Sequence, residues 1–249
     1  MTEHVSASRR RSHQEDLKFH NEHDPHRQAS GLSNIILGGQ DGLVNVLGVI
    51  LGVAAATSDA RIVLVAGLAA TFAESVSMGA VAYTSHLADV DFYESERDRE
   101  YRHIAEVPRL EKEEIRQIYK EKGFEGDLLN RIVNTITTDQ DVWVAVMLAE
   151  EHQLAPVFRA QALKNALVVG VSAIVGSLIP LLPFSILPVV TSMWVSVLIT
   201  AFVLFGVGFY KAKKTVGRPG KSGLEMALIG TLSALAGYIV GVLLQVPGG

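Results

Sequence analysis

Charge falls in blocks along this chain of 249 residues, and the blocking limits its fold more than any other feature. Residues 32–57, 62–88, 165–210 and 222–249 are nearly free of Asp, Glu, Lys and Arg, whereas 1–30 and 89–164 are crowded with them. A bilayer core about 30 Å thick is crossed by roughly 20 mostly apolar residues in helix. A helix suits that environment because it satisfies its own backbone polar groups. Five segments are long enough: 32–56, 62–87, 163–182, 185–210 and 223–246. The composition agrees, at 49% hydrophobic against 19% charged residues. We therefore expect an all-α membrane protein with five transmembrane helices. It divides into a polar tail (1–30), spans one and two (31–88), a charged helical domain (89–162) and spans three to five (163–249).

Several function classes drop out. The chain has no cysteine, which removes disulfides, thiolate metal sites and cysteine nucleophiles. A formal net charge of −4 offers no basic surface for nucleic acid. The first thirty residues are too polar for a secretory signal, so the first span is expected to act as its own insertion signal. Lys and Arg number five in residues 1–31, one between the first two spans (Arg61), eleven in 89–164, none between spans three and four and five in 211–221. Heavy and light segments alternate. The positive-inside rule then places the N-terminus, the middle domain and the 211–221 loop in the cytoplasm, with the C-terminus outside.

No proline interrupts the chain between Ile62 and Val107, and the last glycine of that stretch is Gly79. One helix of about 44 residues is expected, on the order of 66 Å long, of which the bilayer takes about half. Pro108 ends it. Shorter helices are expected over 111–122, 127–138 and 141–151, separated by Gly123, Gly126 and the polar Thr137-Thr-Asp-Gln140. The middle domain is thus a small helical bundle on a stalk. Pro180, Pro183 and Pro188 should make the connection between spans three and four a tight uncharged hairpin.

Acids at bilayer depth are costly and therefore mark function by default. Two sit well inside spans, Asp41 and Glu74. Asp41 lies in Gly38-Gly-Gln-Asp-Gly42, where Gly38, Gly42, Gly48 and Gly52 have the small-xxx-small spacing that permits close helix approach. Asn45 shares its face one turn on. Asp41 is either a buried structural hydrogen bond or a carboxylate on a cation or proton path. Glu74 has Ser77 and Met78 on its face. An oxygen with a thioether favours a transition ion over magnesium or calcium, although a methionine in a span also serves simply as packing.

The middle domain carries Glu100-Tyr-Arg-His103, Glu111-Lys-Glu-Glu114 and Met147-Leu-Ala-Glu-Glu-His152. The pairs Glu100/His103, Glu111/Glu114 and Met147/Glu150 are three apart, on one helix face each. Three helices could converge these carboxylate, imidazole and thioether groups on a site suited to Fe, Mn, Zn or Co. The alternative is a solvated acidic face. In the tail, His13, His20, His23 and His26 could collect metal ions loosely, and Pro25 with its polar neighbours argues against a stable helix there.

Gln40-Asp-Gly42, Ser77-Met-Gly79, a long second helix ending at Val107-Pro108, and Met147 three residues before Glu150 together resemble the vacuolar iron transporter family. The resemblance runs from Ser30 to Val246. It implies a homodimer that exchanges Fe2+, often also Mn2+, for protons, along a path lined by the first two helices at the dimer interface. On that pattern Asp41 matches the family's first-span aspartate and Met78 its second-span methionine. Glu100, Glu111, Glu114 and Glu150 match its metal-binding glutamates, and Met147 one of its methionines. Three positions depart from the pattern. Ala70 stands where plant members have a glutamate, with Glu74 one turn later; His103 replaces a domain glutamate; Val146 replaces a second methionine.

The expected function is transport of divalent iron or manganese out of the cytoplasm in exchange for protons. Fe2+ and Mn2+ are then substrates, no separate cofactor is implied, and the partners are metal ions, protons, membrane lipid and a second copy of the chain. A membrane-anchored ferroxidase is the enzymatic rival, because Glu100-Tyr-Arg-His103 is a Glu-x-x-His element of the kind found in di-iron bundles. Such bundles normally have two, and this chain shows one. A non-transporting metal sensor or buffer is a third reading, and would leave Asp41 and Glu74 dispensable.

Overall fold

The computed structural model describes residues 30–215 and 217–244, and among these it holds helices and turns but no β-strand. The tail histidines His13, His20, His23 and His26, and Val246 at the end of the fifth expected span, lie outside the described residues. The helices are α1 (Ser30–Thr57), α2 (Ala60–Glu106), α3 (Pro108–Glu121), α4 (Gly126–Ile136), α5 (Gln140–Glu150), α6 (Ala160–Leu181), α7 (Val189–Lys214) and α8 (Pro219–Leu243). Of these, α1, α2, α6, α7 and α8 are long and apolar enough to cross a membrane. The chain is a multi-pass membrane protein.

The first span lies at the centre, packing on α6, α8 and α2. Its glycines explain how. A Cβ at Gly38 or Gly42 would collide with the α6 backbone carbonyls of Val169 and Ala173. Gly48 and Gly52 instead lie against Gly237 and Gly241 of α8. Ten residues of helix turn the face by about 1000°, so the two glycine pairs serve different neighbours. Val46, Leu47, Ile50, Leu51 and Ala54 then fill the core between them, with Val63, Leu181, Phe184 and Ala234.

Asp59 starts α2 by accepting hydrogen bonds from the Arg61 and Ile62 amides. The helix then runs for 47 residues, about 70 Å, without a break. Val63, Gly67, Thr71 and Ser75, four apart, are its buried membrane face. Ser75 Oγ donates to the Gly170 carbonyl of α6 at 2.9 Å. Pro108 ends α2, and it also opens α3 at once, since a proline lacks the N–H that a first helical turn leaves unpaired. The third helix therefore starts three residues earlier than sequence spacing predicts. Pro180 sits in the last turn of α6, and Pro188 delays α7 to Val189. Ser196 Oγ and Ser192 Oγ satisfy the carbonyls of Pro180 and Pro183 in that hairpin.

Helices α3, α4 and α5 pack against the far end of α2 around Ile104, Ile115, Val133, Val144 and Met147. Gly123 and Gly126, at φ +91° and +60°, turn the chain from α3 to α4. The Tyr101 hydroxyl donates to Asp141 at 2.7 Å, tying α2 to the start of α5. Residues 151–159 return to the membrane alongside α2. Arg159 pairs there with Asp91 and Glu94, and a His86 ring nitrogen lies 3.0 Å from the Phe158 carbonyl.

Candidate functional site

Two groups of side chains stand out, one at bilayer depth and one in the helical domain. In the first, the Asn45 amide of α1 donates to Asp41 at 3.1 Å and to Glu74 of α2 at 2.8 Å. One neutral side chain thus joins the two membrane carboxylates across two antiparallel helices. Asp41 and Glu74 are half-buried and Asn45 is exposed, so the group lies on the outer face of the single chain rather than in its core. Met78 is one turn along α2 from Glu74, also half-buried. Ala70, one turn the other way, packs against the apolar cluster of α1. A carboxylate at 74 therefore reaches the Asp41 side, whereas the side chain at 70 meets the core.

The second group lines a cavity of about 350 Å³ between the distal part of α2, α3 and the segment after α5. Helix α2 contributes Glu96, Arg99, Glu100 and His103; α3 contributes Glu111 and Glu114; Glu151 and His152 close the third side. The spacing of the first two sets carries them into place: Glu96, Glu100 and His103 repeat at four and three residues, and Glu111 and Glu114 at three. Ligand atoms of Glu100, His103 and Glu111 all lie within 4.8 Å of one another. The His103 ring is 3.6 Å from the Glu111 carboxylate. Glu100 and Glu111 are 2% and 3% exposed, unusual for acids without a strong cation beside them. Arg99 is paired with Glu96 at 3.1 Å.

Crowding of like charge out of water shows in the proton affinities. Burial, then the charges of Glu114 and Glu100, push the Glu111 carboxyl up to about 7. Burial and the Glu114 charge likewise raise Glu151. Burial works to depress the His152 imidazolium, but its hydrogen bond with Glu100 and the surrounding carboxylates prevail, and its pKa is raised. Such a pocket favours any bound positive charge. Five carboxylates and two imidazoles offer the hard oxygen and borderline nitrogen donors that first-row divalent ions take.

The structure brings Glu100, His103, Glu111 and Glu114 together. It does not bring Glu150 or Met147 to them. Met147 is fully buried in the domain core, and Glu150 faces out to an ion pair with Lys122 at 2.7 Å. About a helix axis, positions three and four beyond Met147 lie on opposite sides of it, roughly −60° and +40° away. The cavity is on the second side, so Glu151 takes the place that spacing gave to Glu150. His152, which ends the Met147–His152 motif, and Glu96 also line the cavity; the sequence signal for Glu96 is its four-residue spacing from Glu100.

A model described as the VIT family matches residues 32–242. The chain belongs to the VIT family. Among VIT-family relatives, vacuolar iron transporter 1 of Arabidopsis thaliana is 31% identical over 213 residues, covering 85% of each chain. The vacuolar iron transporter of Centaurea cyanus is 32% identical over 221 residues, 88% of this chain and 90% of its own. That of Plasmodium falciparum is 28% identical over 224 residues, 86% of this chain and 82% of its own. The matched VIT-family region contains both the Asp41–Asn45–Glu74 group and the domain cavity.

Proposed function

We propose that this chain carries Fe2+, with Mn2+ as a second cargo, out of the cytoplasm in exchange for protons, working as a homodimer. The observation that carries the reading is the pair of membrane-depth carboxylates joined through Asn45. Two acids at bilayer depth are expensive unless they meet a cation, a proton or water. Their position on the outer face of α1 and α2 suits a path closed by a second copy. Relatives named as iron transporters supply the cargo. The asymmetry of Lys and Arg supports a cytoplasmic α3–α5 domain, whose acidic cavity collects metal before passage. Glu100, His103, Glu111, Glu114 and Glu151 are the residues we assign to that collection.

Exchange follows from what a carboxylate can hold. Asp41 and Glu74 bind the divalent ion when ionised and protons when it has left, so the two cargoes alternate on the same oxygens. Asp41→Asn keeps size and hydrogen bonding but binds neither. In proteoliposomes under an imposed pH gradient, this variant should lose metal flux and metal-driven proton flux together while inserting normally. Glu74→Gln should do the same. Intact coupled exchange in both variants would overturn the mechanism, and iron oxidation without flux would point to an enzyme.

A further inference from the structure

We propose that His152 is a metal ligand of the domain cavity, so that an imidazole from the α5–α6 connection adds a second nitrogen donor, beside His103, to the carboxylates. The inference rests on the reading that this cavity holds cargo metal, and adds what the cavity selects. The His152 Nε2 atom lies 3.0 Å from Glu100 Oε1. Two donor atoms about 2.1 Å from a shared ion and about 90° apart are about 3.0 Å from each other. Imidazole and carboxylate thus already have the separation of neighbouring ligands.

A second observation points to an ion. Glu100 is 2% exposed, and its other oxygen, Oε2, is buried without a hydrogen-bond partner. His152 meets only Oε1, and a carboxylate oxygen withdrawn from water without a partner of its own is costly unless a cation meets it as well. From one turn further along α2, His103 Nδ1 lies 4.0 Å from Glu100 Oε1 and 3.6 Å from Glu111 Oε1 of α3. Both fall within the roughly 4.2 Å that separates ligands on opposite sides of one such ion. An ion at Glu100 can therefore be shared with His103 and Glu111, whose ligand atoms lie within 4.8 Å of its own, while His152 meets the same Glu100 carboxylate from the α5–α6 connection.

The consequence is selectivity. Carboxylates alone also accept Mg2+ and Ca2+, which are hard ions that prefer oxygen. Imidazole nitrogen favours Fe2+, Co2+ and Zn2+, and Mn2+ less strongly. His152 should therefore raise affinity most for Co2+ and Zn2+, less for Fe2+, least for Mn2+, and leave Mg2+ nearly unaffected. If His152 merely partners Glu100, a glutamine amide can keep that hydrogen bond and nothing about the metal changes.

The test uses the full chain in detergent, with Co2+, Mn2+ and Mg2+ binding measured by calorimetry at pH 7.5 for wild type, His152→Gln and Glu100→Gln. We expect His152→Gln to weaken Co2+ binding about 10- to 100-fold, Mn2+ less and Mg2+ hardly, and to change the Co2+ absorption spectrum. Wild-type Co2+ affinity and spectrum in His152→Gln, with binding lost in Glu100→Gln, would overturn the His152 assignment alone. Unchanged binding in both variants would instead remove the cavity reading. Should His152→Gln fail to fold, Mn2+-loaded His103→Gln decides by pulsed electron paramagnetic resonance: an imidazole nitrogen coupling supports His152, and its absence overturns the assignment.

Discussion

Glu150 and Glu151 are adjacent in sequence and about 100° apart around the α5 axis, and that angle separates an ion pair with Lys122 from the wall of the cavity. Glu151→Gln should weaken metal binding about 10-fold, whereas Glu150→Gln should leave it within about twofold, as calorimetry on the full chain would measure. Equal losses would return the α5 contribution to Glu150. The sequence made the acidic character of this stretch plain, but choosing between neighbours requires the rotation of a short helix against its bundle. Burial of Met147 sets that rotation here, and a methionine can be core or ligand with the same spacing. Glu111 gives a prediction in pH. Its folded-state pKa, raised from 4.5 to about 7, lies above the unfolded one, so the proton favours the folded domain. That contribution is complete below pH 4.5 and is lost as pH rises through about 7. Without metal, thermal stability should therefore fall between pH 5 and 8 by on the order of 1–3 kcal/mol, and Glu111→Gln should flatten the profile. A metal-free domain that gains stability over that range would contradict the crowding of carboxylates in the cavity.

At the scale of elements, the second helix was legible because nothing in 62–106 stops it, and the five spans because apolar runs of that length have few other uses. Pro108 was harder to read. A proline that ends one helix also fits the first position of the next, and only packing of α3 on α2 shows that both hold here. The glycines of α1 gave their spacing but not their partners. Gly42 meets both the Ala173 carbonyl and Ser177 of α6, and in a helix interface without room a side chain must push the backbones apart. Gly42→Val should lower the thermal unfolding temperature in detergent sharply, with a cost of about 3 kcal/mol or more. Gly31→Ala, with open space at its Cβ, should be neutral to slightly stabilising. A tolerant Gly42 would mean that the α1–α6 contact adjusts freely, and that the position of Asp41 beside it is not fixed by packing.

On the outer face of α1 and α2, polar and apolar requirements disagree. Around Asp41, Asn45 and Glu74 the surface of a single chain offers carboxylates and an amide at bilayer depth, where lipid satisfies none of them. Phe202 on α7, 79% exposed, belongs instead to an outer surface that lipid can cover well. A second copy related by a two-fold axis would place two Asp41–Asn45–Glu74 groups opposite each other, and isologous contacts of that kind are the commonest in homo-oligomers. The chain contains no cysteine, so a single introduced thiol reports its neighbours without interference. Val49, exposed and one turn beyond Asn45 on α1, should lie near its own counterpart across that axis. Val49→Cys should then form a disulfide-linked dimer in membranes under mild oxidation, while Phe202→Cys gives no covalent link. A disulfide has a narrow reach, with Cα atoms usually less than about 7 Å apart, so efficient linkage at 49 requires the close α1–α1 approach that a shared path needs. Efficient linkage at 202 with none at 49 would put the two-fold axis on the other side of the bundle, and would leave the membrane carboxylates facing lipid without a partner to close their path.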